Sequence, residues 1–348
     1  MSMIKKFGFA AAVVLVAASA MASNFRAADQ VYVPAAGHIT GGSKTFISDI
    51  SVSNVSSTDA VTVSVIYSNA TGAQQTFNNL FTLQPNEHRE FTDFVGSASP
   101  NGLGLTNALG QLIFNGCKAN GSCDVTDTTG CPGGQQSGVC PDFRNITVES
   151  RIYSVDNGAN PLTAPTTGQL FSGYPWYSFV TQEQSQNDLH RVFLTGIRQN
   201  SAYRTNIGLV NASQFSVTQF RVKLFQGATQ LGGDVVTAVF APLQAVQQPV
   251  TGLFPGVSLG SGTNLWVQVT QENSSPTSDA SANGCPTGCP GFFTYGSVLD
   301  NTTGDATTLE PEYFKSITDA QLACLFPAQG QTVTCKSTPQ IRRSVKHH

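Results

Sequence analysis

The composition of this 348-residue chain excludes several classes of protein before any motif is considered. Only 11% of the residues are charged, and 21 acidic residues exceed 18 basic ones, so the chain lacks the positive field that binds nucleic acid. Its 33 glycines, with many hydroxyl and amide side chains, are typical of an exported, turn-rich β protein.

The first 22 residues have the pattern of a secretory signal peptide. Lys5 and Lys6 precede an apolar run at 7–18, and Ala20-Met21-Ala22 provides an A-x-A cleavage site before Ser23. The apolar run is too short for a comfortable membrane span. We therefore expect a secreted, periplasmic or cell-surface protein with no transmembrane span in the mature chain.

Seven runs of alternating apolar and polar residues follow, and this period of two predicts β-strands. In the run 61–65 three valines occupy one face, while Thr62 and Ser64 occupy the other. One face can thus enter a core, as in a two-layer sandwich. The predicted strands span 31–34, 46–54, 61–67, 75–83, 88–94, 111–114 and 146–155.

A cysteine-rich insert without periodicity, 116–143, separates the sixth run from the seventh. It contains Cys117, Cys123, Cys131 and Cys140. An even number of cysteines in an exported chain favours disulfides, although four cysteines allow three pairings. The spacing lacks the tight C-x2-C knuckles of a structural zinc site. The insert is either a stapled recognition loop or an insertion protected from proteolysis.

Aromatic residues concentrate at 171–179, where the first repeat meets the second. Tyr174, Trp176 and Tyr177 are candidate binding residues, because exposed rings could stack on sugars or enter a partner. The alternative is that these rings pack the joint between two domains.

The second half of the chain repeats motifs of the first. FISDISVSN, ending at Asn54, returns as YRTNIGLVN, ending at Asn211, and SVDN, ending at Asn157, returns as VLDN, ending at Asn301. A repeat in fixed order indicates duplicated domains. Seven further strands are predicted at 192–194, 205–210, 218–225, 235–240, 245–250, 265–270 and 292–299.

A second insert, 272–291, occupies the same place in the second repeat and carries Cys285 and Cys289. The remaining cysteines, Cys324 and Cys335, enclose a short loop near the C-terminus. We predict that the mature protein contains no free thiol.

Asp300, Asn301 and Asp305 surround a glycine turn after the last predicted strand, as oxygen ligands do in calcium loops. The alternative is a turn in which the side chains bond backbone groups. No other cofactor is expected.

No residue is expected to be catalytic. The G-x-S-x-G pattern at 256–260 lacks a preceding strand, a following helix and a downstream histidine outside the tail. Glu87, Glu90 and Asp93 are close in sequence, but alternation along a strand places Glu90 on the face opposite the other two. The paired carboxylates that a glycosidase needs are therefore not predicted.

The segments RTNIGLVN at 204–211 and GSVLDNTTGDAT at 296–307 resemble a family of exported bacterial β-sandwich repeat proteins, common in acidobacterial and proteobacterial genomes. Its repeats combine an R-T-D-like strand ending in Asn with a later S-V-x-D-N-x-T-G-D stretch. The resemblance covers residues 30–311. The second repeat fits better, since the first lacks the Arg-Thr pair. The resemblance implies the fold and export, and no established activity comes with it.

The sequence thus predicts an all-β protein of two tandem immunoglobulin-like antiparallel β-sandwiches from an internal duplication. The predicted divisions are a signal peptide, 1–22, the first repeat, 23–185, the second repeat, 186–312, and a short C-terminal extension, 313–348. We expect a non-catalytic binding or structural, adhesive module that presents stapled loops to a protein or glycan at the cell surface. The alternative is a secreted hydrolase or other protein acting on glycans.

Overall fold

The computed structural model describes residues 26–121, 123, 142–164, 166–180, 190–281 and 290–315. Within these ranges the chain forms antiparallel sheets almost throughout, and the predicted all-β sandwich fold is confirmed. The expected signal peptide, most of the first cysteine insert and residues 282–289 of the second lie outside the described residues. None of the helices in the described part has the length and apolar character of a membrane span.

Nine strands build the first half of the molecule, and each of the seven predicted runs overlaps one of them. Their bounds are β1 Gln30–Gly41, β2 Lys44–Asn54, β3 Val61–Asn69, β4 Gln74–Leu83, β5 His88–Phe91, β6 Ala108–Lys118, β7 Ile146–Asp156, β8 Thr167–Ser172 and β9 Tyr174–Pro175. A single 3-10 turn, Trp176–Ser178, follows β9.

These strands form a sheet that folds over at β1 into two layers. The first part of β1 pairs with β6 and its last part with β2, and a bulge between Val33 and Ala36 lets the strand bend from one layer to the other. One layer has the order β4-β3-β6-β1-β9, and the other has the order β5-β2-β7-β8. The predicted core face of β3 is correct, since Val61, Val63 and Val65 are fully buried.

The second half also contains nine strands and adds one helical turn. Their bounds are β10 His190–Ile197, β11 Tyr203–Asn211, β12 Ser216–Gln226, β13 Thr229–Val236, β14 Ala245–Pro249, α1 Val250–Leu253, β15 Leu265–Pro276, β16 Phe292–Asp300, β17 Ala306–Leu309 and β18 Glu312–Lys315. The sheet orders are β13-β12-β15-β10-β18 and β14-β11-β16-β17. Adding nine to each strand number of the first half reproduces these orders.

The asparagines of the repeated motifs have equivalent contacts in the two halves. The Nδ2 of Asn54 donates to two loop carbonyls at 2.8 and 2.9 Å, and the Nδ2 of Asn211 does so at the same distances. Asn157 and Asn301 each donate to a carbonyl of the turn before β2 or β11, at 3.0 and 3.1 Å. The repeated motifs therefore fix loops.

Several predicted boundaries differ from the structure because polar residues continue the ladders. β6 extends to Lys118 and β15 to Pro276, so the irregular part of each insert begins later than predicted. β13 begins at Thr229, since a two-residue turn with Gly227 at φ 56° starts the pairing early. β18, which includes the first residues of the expected C-terminal extension, pairs with β10.

The hydrophobic core of the first half extends into the second half at the joint, while the second sandwich has a core of its own. Phe293 and Tyr295 alternate with the residues of β16 that face their own sandwich, so they point toward the first half. Phe293 stacks on Tyr174 with ring centroids 4.5 Å apart, and Tyr295 meets Phe171 edge-on at 5.5 Å. The loop after β13 adds a polar contact, because the carbonyl of Leu243 accepts bonds from two side chains of the first half.

Candidate functional site

The first cysteine insert leaves and re-enters the sandwich at a paired stem. Lys118 donates its backbone N–H to the carbonyl of Asp142 at 2.6 Å, and Arg144 donates to Gly116 at 3.1 Å. A disulfide joins Cys117 to Cys123. The six other cysteines expected in disulfides lie outside the described residues: Cys131, Cys140, Cys285, Cys289, Cys324 and Cys335.

An acidic side chain ties this stem to the loop between β2 and β3. The carboxylate of Asp59 lies 2.7 Å from the Arg144 guanidinium and 3.4 Å from the Lys118 ammonium. The hydrogen bond from Arg144, with the attraction of both cations, holds the pKa of Asp59 below its ordinary value. The two ends of the first insert are thus held together by backbone pairing and by the ionic contacts of Asp59.

Hydrogen bonds and one apolar contact fix the start of the second insert beside the loop between β11 and β12. Thr277 donates its N–H to the carbonyl of Phe215 at 2.8 Å, and its hydroxyl donates to Asp279 at 2.6 Å. The side chain of Ala280 packs against Phe215. The chain up to Ser281 is therefore held against the body of the molecule.

A cleft of about 360 Å³ opens between the two halves beside the start of the second insert. Its lining is mostly hydroxyl, amide and carboxylate side chains, with one aromatic and one proline residue. These residues are Gln74, Thr76, Gln214, Phe215, Pro242, Thr277 and Asp279. Such groups both donate and accept hydrogen bonds, so the cleft suits a polar ligand.

Both inserts approach the same face of the first sandwich. Cys117 lies opposite Thr62, and Thr76 lies opposite Ile66. Residues 62 and 66 are an even number apart on β3, so these side chains share the outer face of the layer. Because Cys117 lies on β6 and Thr76 on β4, four residues along the strand and two inter-strand spacings separate them by about 16 Å. The stem of the first insert therefore shares a face with the cleft.

A second opening, of about 310 Å³, lies in the second sandwich between β14 and the chain at 235–240. Its lining is mainly aliphatic and includes Ile207, Leu209 and Leu253. Because a specific site also needs polar groups that orient the ligand, we take the cleft between the halves as the candidate site.

The aromatic segment that the sequence offered for binding lies in the joint. Tyr174 and Trp176 are only 8% and 7% exposed, and the indole N–H of Trp176 donates to Asp29 at 2.8 Å. Tyr177 belongs to the same 3-10 turn. The placement of Tyr174, which stacks on Phe293, corresponds to the alternative, in which these rings pack between the halves, and Trp176 is buried in the same core cluster.

The turn at Asp300 has the contacts of an Asx turn. Its carboxylate accepts two successive backbone N–H groups at 2.7 and 3.2 Å, and these bonds lower the pKa of Asp300. The side-chain oxygen of Asn301 accepts a hydrogen bond from the Arg204 guanidinium at 2.6 Å. Calcium binding by these two residues and Asp305 stays a prediction, and it requires Arg204 to leave Asn301.

The acidic residues considered for a hydrolase contact separate basic partners. The pairs are Glu87 with Arg89, Glu90 with His88, and Asp93 with His38. β5 ends at Phe91, so Asp93 lies in a turn rather than on the expected strand. In the described ranges no three His, Cys, Asp or Glu side chains are grouped as metal ligands.

The residues of the cleft were only partly visible in the sequence. Thr277 and Asp279 lie in the predicted second insert, but nothing singled out Gln74 and Thr76 on β4. No spacing pattern connects β4 with the loop after β15, because only the packing of one half on the other brings them together.

Comparison with known proteins adds little to this description. No protein-family model matches the chain, and no curated protein matches it. Among solved structures, the lectin from Pleurotus ostreatus in complex with GalNAc is similar at 10% identity over 84% of this chain and 81% of the lectin, with a TM-score of 0.17. A likeness at that TM-score carries no argument about the ligand.

Proposed function

We propose that this protein is a non-catalytic binding module whose contact surface is the cleft between the halves, with the two cysteine inserts beside it. The observation that supports this most directly is the lining of the cleft. Hydroxyl, amide and carboxylate groups from both halves converge there, next to the second insert and on the face that carries the stem of the first.

In this proposal the sandwiches act as a rigid support and the loops make the contacts. The cleft side chains would exchange hydrogen bonds with a glycan or with the polar surface of a protein. The anchors at Thr277 and Lys118 hold the described ends of the inserts on the body of the molecule. We also propose that the module works outside the cytoplasm, where disulfides such as Cys117–Cys123 persist.

Removal of the inserts tests the proposal without disturbing the strands. Lys118 can be joined to Asp142 by an Asn-Gly turn, because their backbone hydrogen bond already defines a hairpin. This variant needs Cys117→Ser, and the segment 282–289 is replaced by a short glycine turn. We expect wild-type circular dichroism and loss of binding on an array of immobilised glycans and cell-surface proteins.

Point variants separate the cleft from the inserts. Gln74→Ala and Thr76→Ala remove exposed side chains of the cleft wall and should weaken binding by about tenfold together, since each removes about one hydrogen bond. Gln75→Ala is the matched control, because Gln75 lies on the opposite face of β4. Binding that survives both the deletions and the cleft variants would refute the proposal.

A further inference from the structure

The outer face of the second sandwich carries three aromatic side chains on neighbouring strands. Phe193 lies on β10, Trp266 on β15 and Phe225 on β12, and all three are partly exposed. Phe225 lies opposite Trp266, and Phe193 lies opposite Gln268, two residues further along β15. Side chains two residues apart share a face, so the three rings form one row, here called the aromatic row.

Contacts within the aromatic row hold its rings in place. Phe225 and Trp266 stack with centroids 4.0 Å apart and an angle of 5° between planes. Phe193 meets Trp266 edge-on at 5.6 Å. The indole N–H donates to the carbonyl of Gly227 at 2.7 Å, which fixes the ring. A surface that is already ordered loses little entropy when a ligand packs on it.

In the first half the equivalent face is an interface. The register places Tyr32, Gln111 and Ser68 where the second half has the aromatic row. The ring of Tyr32 meets Phe293 at 6.2 Å, and the other two side chains donate to the carbonyl of Leu243. The same face of the second sandwich has aromatic residues at all three positions and is partly exposed.

Polar and charged groups border the aromatic row. Gln268 lies between Phe193 and Lys223 in the strand register. On the same face Arg221 pairs with Asp234 at 3.0 Å and with Glu272. Among the described side chains of this face, the apolar part comprises the three rings and Val236, which lies opposite Arg221 and is 43% exposed. A stable protein–protein interface buries about 800 Å² on each partner around an apolar core, and these few side chains between charged groups do not supply it.

We propose that the aromatic row binds a saccharide chain. A pyranose ring has a small apolar C–H face, which fits against aromatic side chains, and a rim of hydroxyls. Gln268 lies where it can bond those hydroxyls, and so does Lys223, whose ammonium is 3.6 Å from the Asp234 carboxylate. The excess of acidic residues in the chain argues against nucleic acid. This site is distinct from the cleft and does not depend on the function proposed for it.

Affinity electrophoresis of the full chain tests the proposal. The probes are gels that contain soluble β-glucan, xylan, mannan, α-glucan or glycol chitin. We expect retardation by at least one polysaccharide, and about tenfold weaker binding for Trp266→Ala and for Phe225→Ala. Leu170→Ala is the matched control, because Leu170 is an apolar residue 49% exposed on the first half. It should be retarded like the wild type.

Tryptophan fluorescence gives a second readout that needs no variant. The chain has two tryptophans, and Trp176 is buried in the core of the first half, so a change in emission on adding the retarding polysaccharide reports Trp266. We expect a shift on titration with that polysaccharide and none with an inert polymer such as Ficoll.

Three results would overturn the proposal. They are no retardation by any of the polysaccharides, retardation that folded Trp266→Ala and Phe225→Ala variants retain, and a dimer in sedimentation velocity that Trp266→Ala dissociates. The last would assign the aromatic row to a second copy of the chain. The cleft variant Gln74→Ala should not affect retardation, so the two proposals can fail separately.

Discussion

At the residue scale, a buried asparagine at the end of a strand bonds the backbone of the neighbouring loops. Asn211 is fully buried at the end of β11. Its Nδ2 donates to the carbonyls of Ser216 and Ala241, and its Oδ1 accepts the N–H of Ser213 at 3.2 Å. These bonds hold loops on both sides of the strand. An asparagine that recurs in a repeat is therefore no guide to a ligand in this protein.

We predict that Asn211→Ala lowers the free energy of unfolding by about 2–3 kcal/mol, because it leaves buried carbonyls without donors. Urea denaturation followed by circular dichroism measures this. Asn301→Ala is the control, since that side chain is exposed and water can replace its bonds, so its loss should stay below about 1 kcal/mol. Equal losses of unfolding free energy in the two variants would show that burial of the Asn211 bonds does not stabilise the fold.

Glu149 occupies the position in β7 that Tyr295 occupies in β16. Its Oε1 is buried and has no hydrogen-bond partner among the described residues. Burial raises the pKa of Glu149 above its ordinary value, while His88 opposes the shift. The folded protein therefore binds this proton more tightly than the unfolded chain does, and stability from this group is lost as pH rises.

We predict that Glu149→Gln is more stable than the wild type at neutral pH, because it removes a poorly solvated charge. The difference should shrink toward zero below about pH 4, where the wild-type carboxyl is protonated in both states. Urea denaturation at several pH values measures it. Glu90→Gln, at an exposed position on β5, should show no such trend, and a difference that grew on acidification would exclude the burial argument.

At the scale of elements, alternation identified the central strands but missed four edge strands. β8 and β17 each lack a continuous apolar face, because their side chains bond across the joint. Gln169 donates to Thr308 at 3.0 Å and accepts from Ser297 at 2.7 Å. Periodicity measures burial against the same sandwich, so it does not detect strands whose polar residues are satisfied by the other half.

The stem of the first insert has two constraints, the backbone pairing and the disulfide. Cys117 and Cys123 are six residues apart, so the bond closes a short loop, worth about 2 kcal/mol in chain entropy. We predict that the double variant Cys117→Ser, Cys123→Ser loses no more than that and keeps its circular dichroism spectrum. Unfolding of the first half in this variant would show that the disulfide, not the pairing, holds the stem.

At the scale of the whole molecule, the sequence predicted two copies of one sandwich but not how they pack. Phe293 and Tyr295 form the joint from β16, whereas Thr147 and Glu149 stand at the equivalent places in β7. The aromatic residues that form the joint therefore occur only in the second half, and they are not among the residues that the two halves have in common. Aromatic residues at 171–179 indicated a joint as one alternative, but their partners on β16 looked like ordinary strand residues.

We predict that the two halves unfold in one transition, because Phe293 and Tyr295 of the second half are part of the hydrophobic core of the first. Phe293→Ala should cost about 3–5 kcal/mol and separate the melting of the halves, since it removes the ring that stacks on Tyr174. Scanning calorimetry measures both effects.

Phe220→Ala is the control, because Phe220 is equally buried but lies in the core of the second sandwich. It should lower the melting temperature and keep one transition. Two transitions in the wild type would show that the joint does not couple the halves.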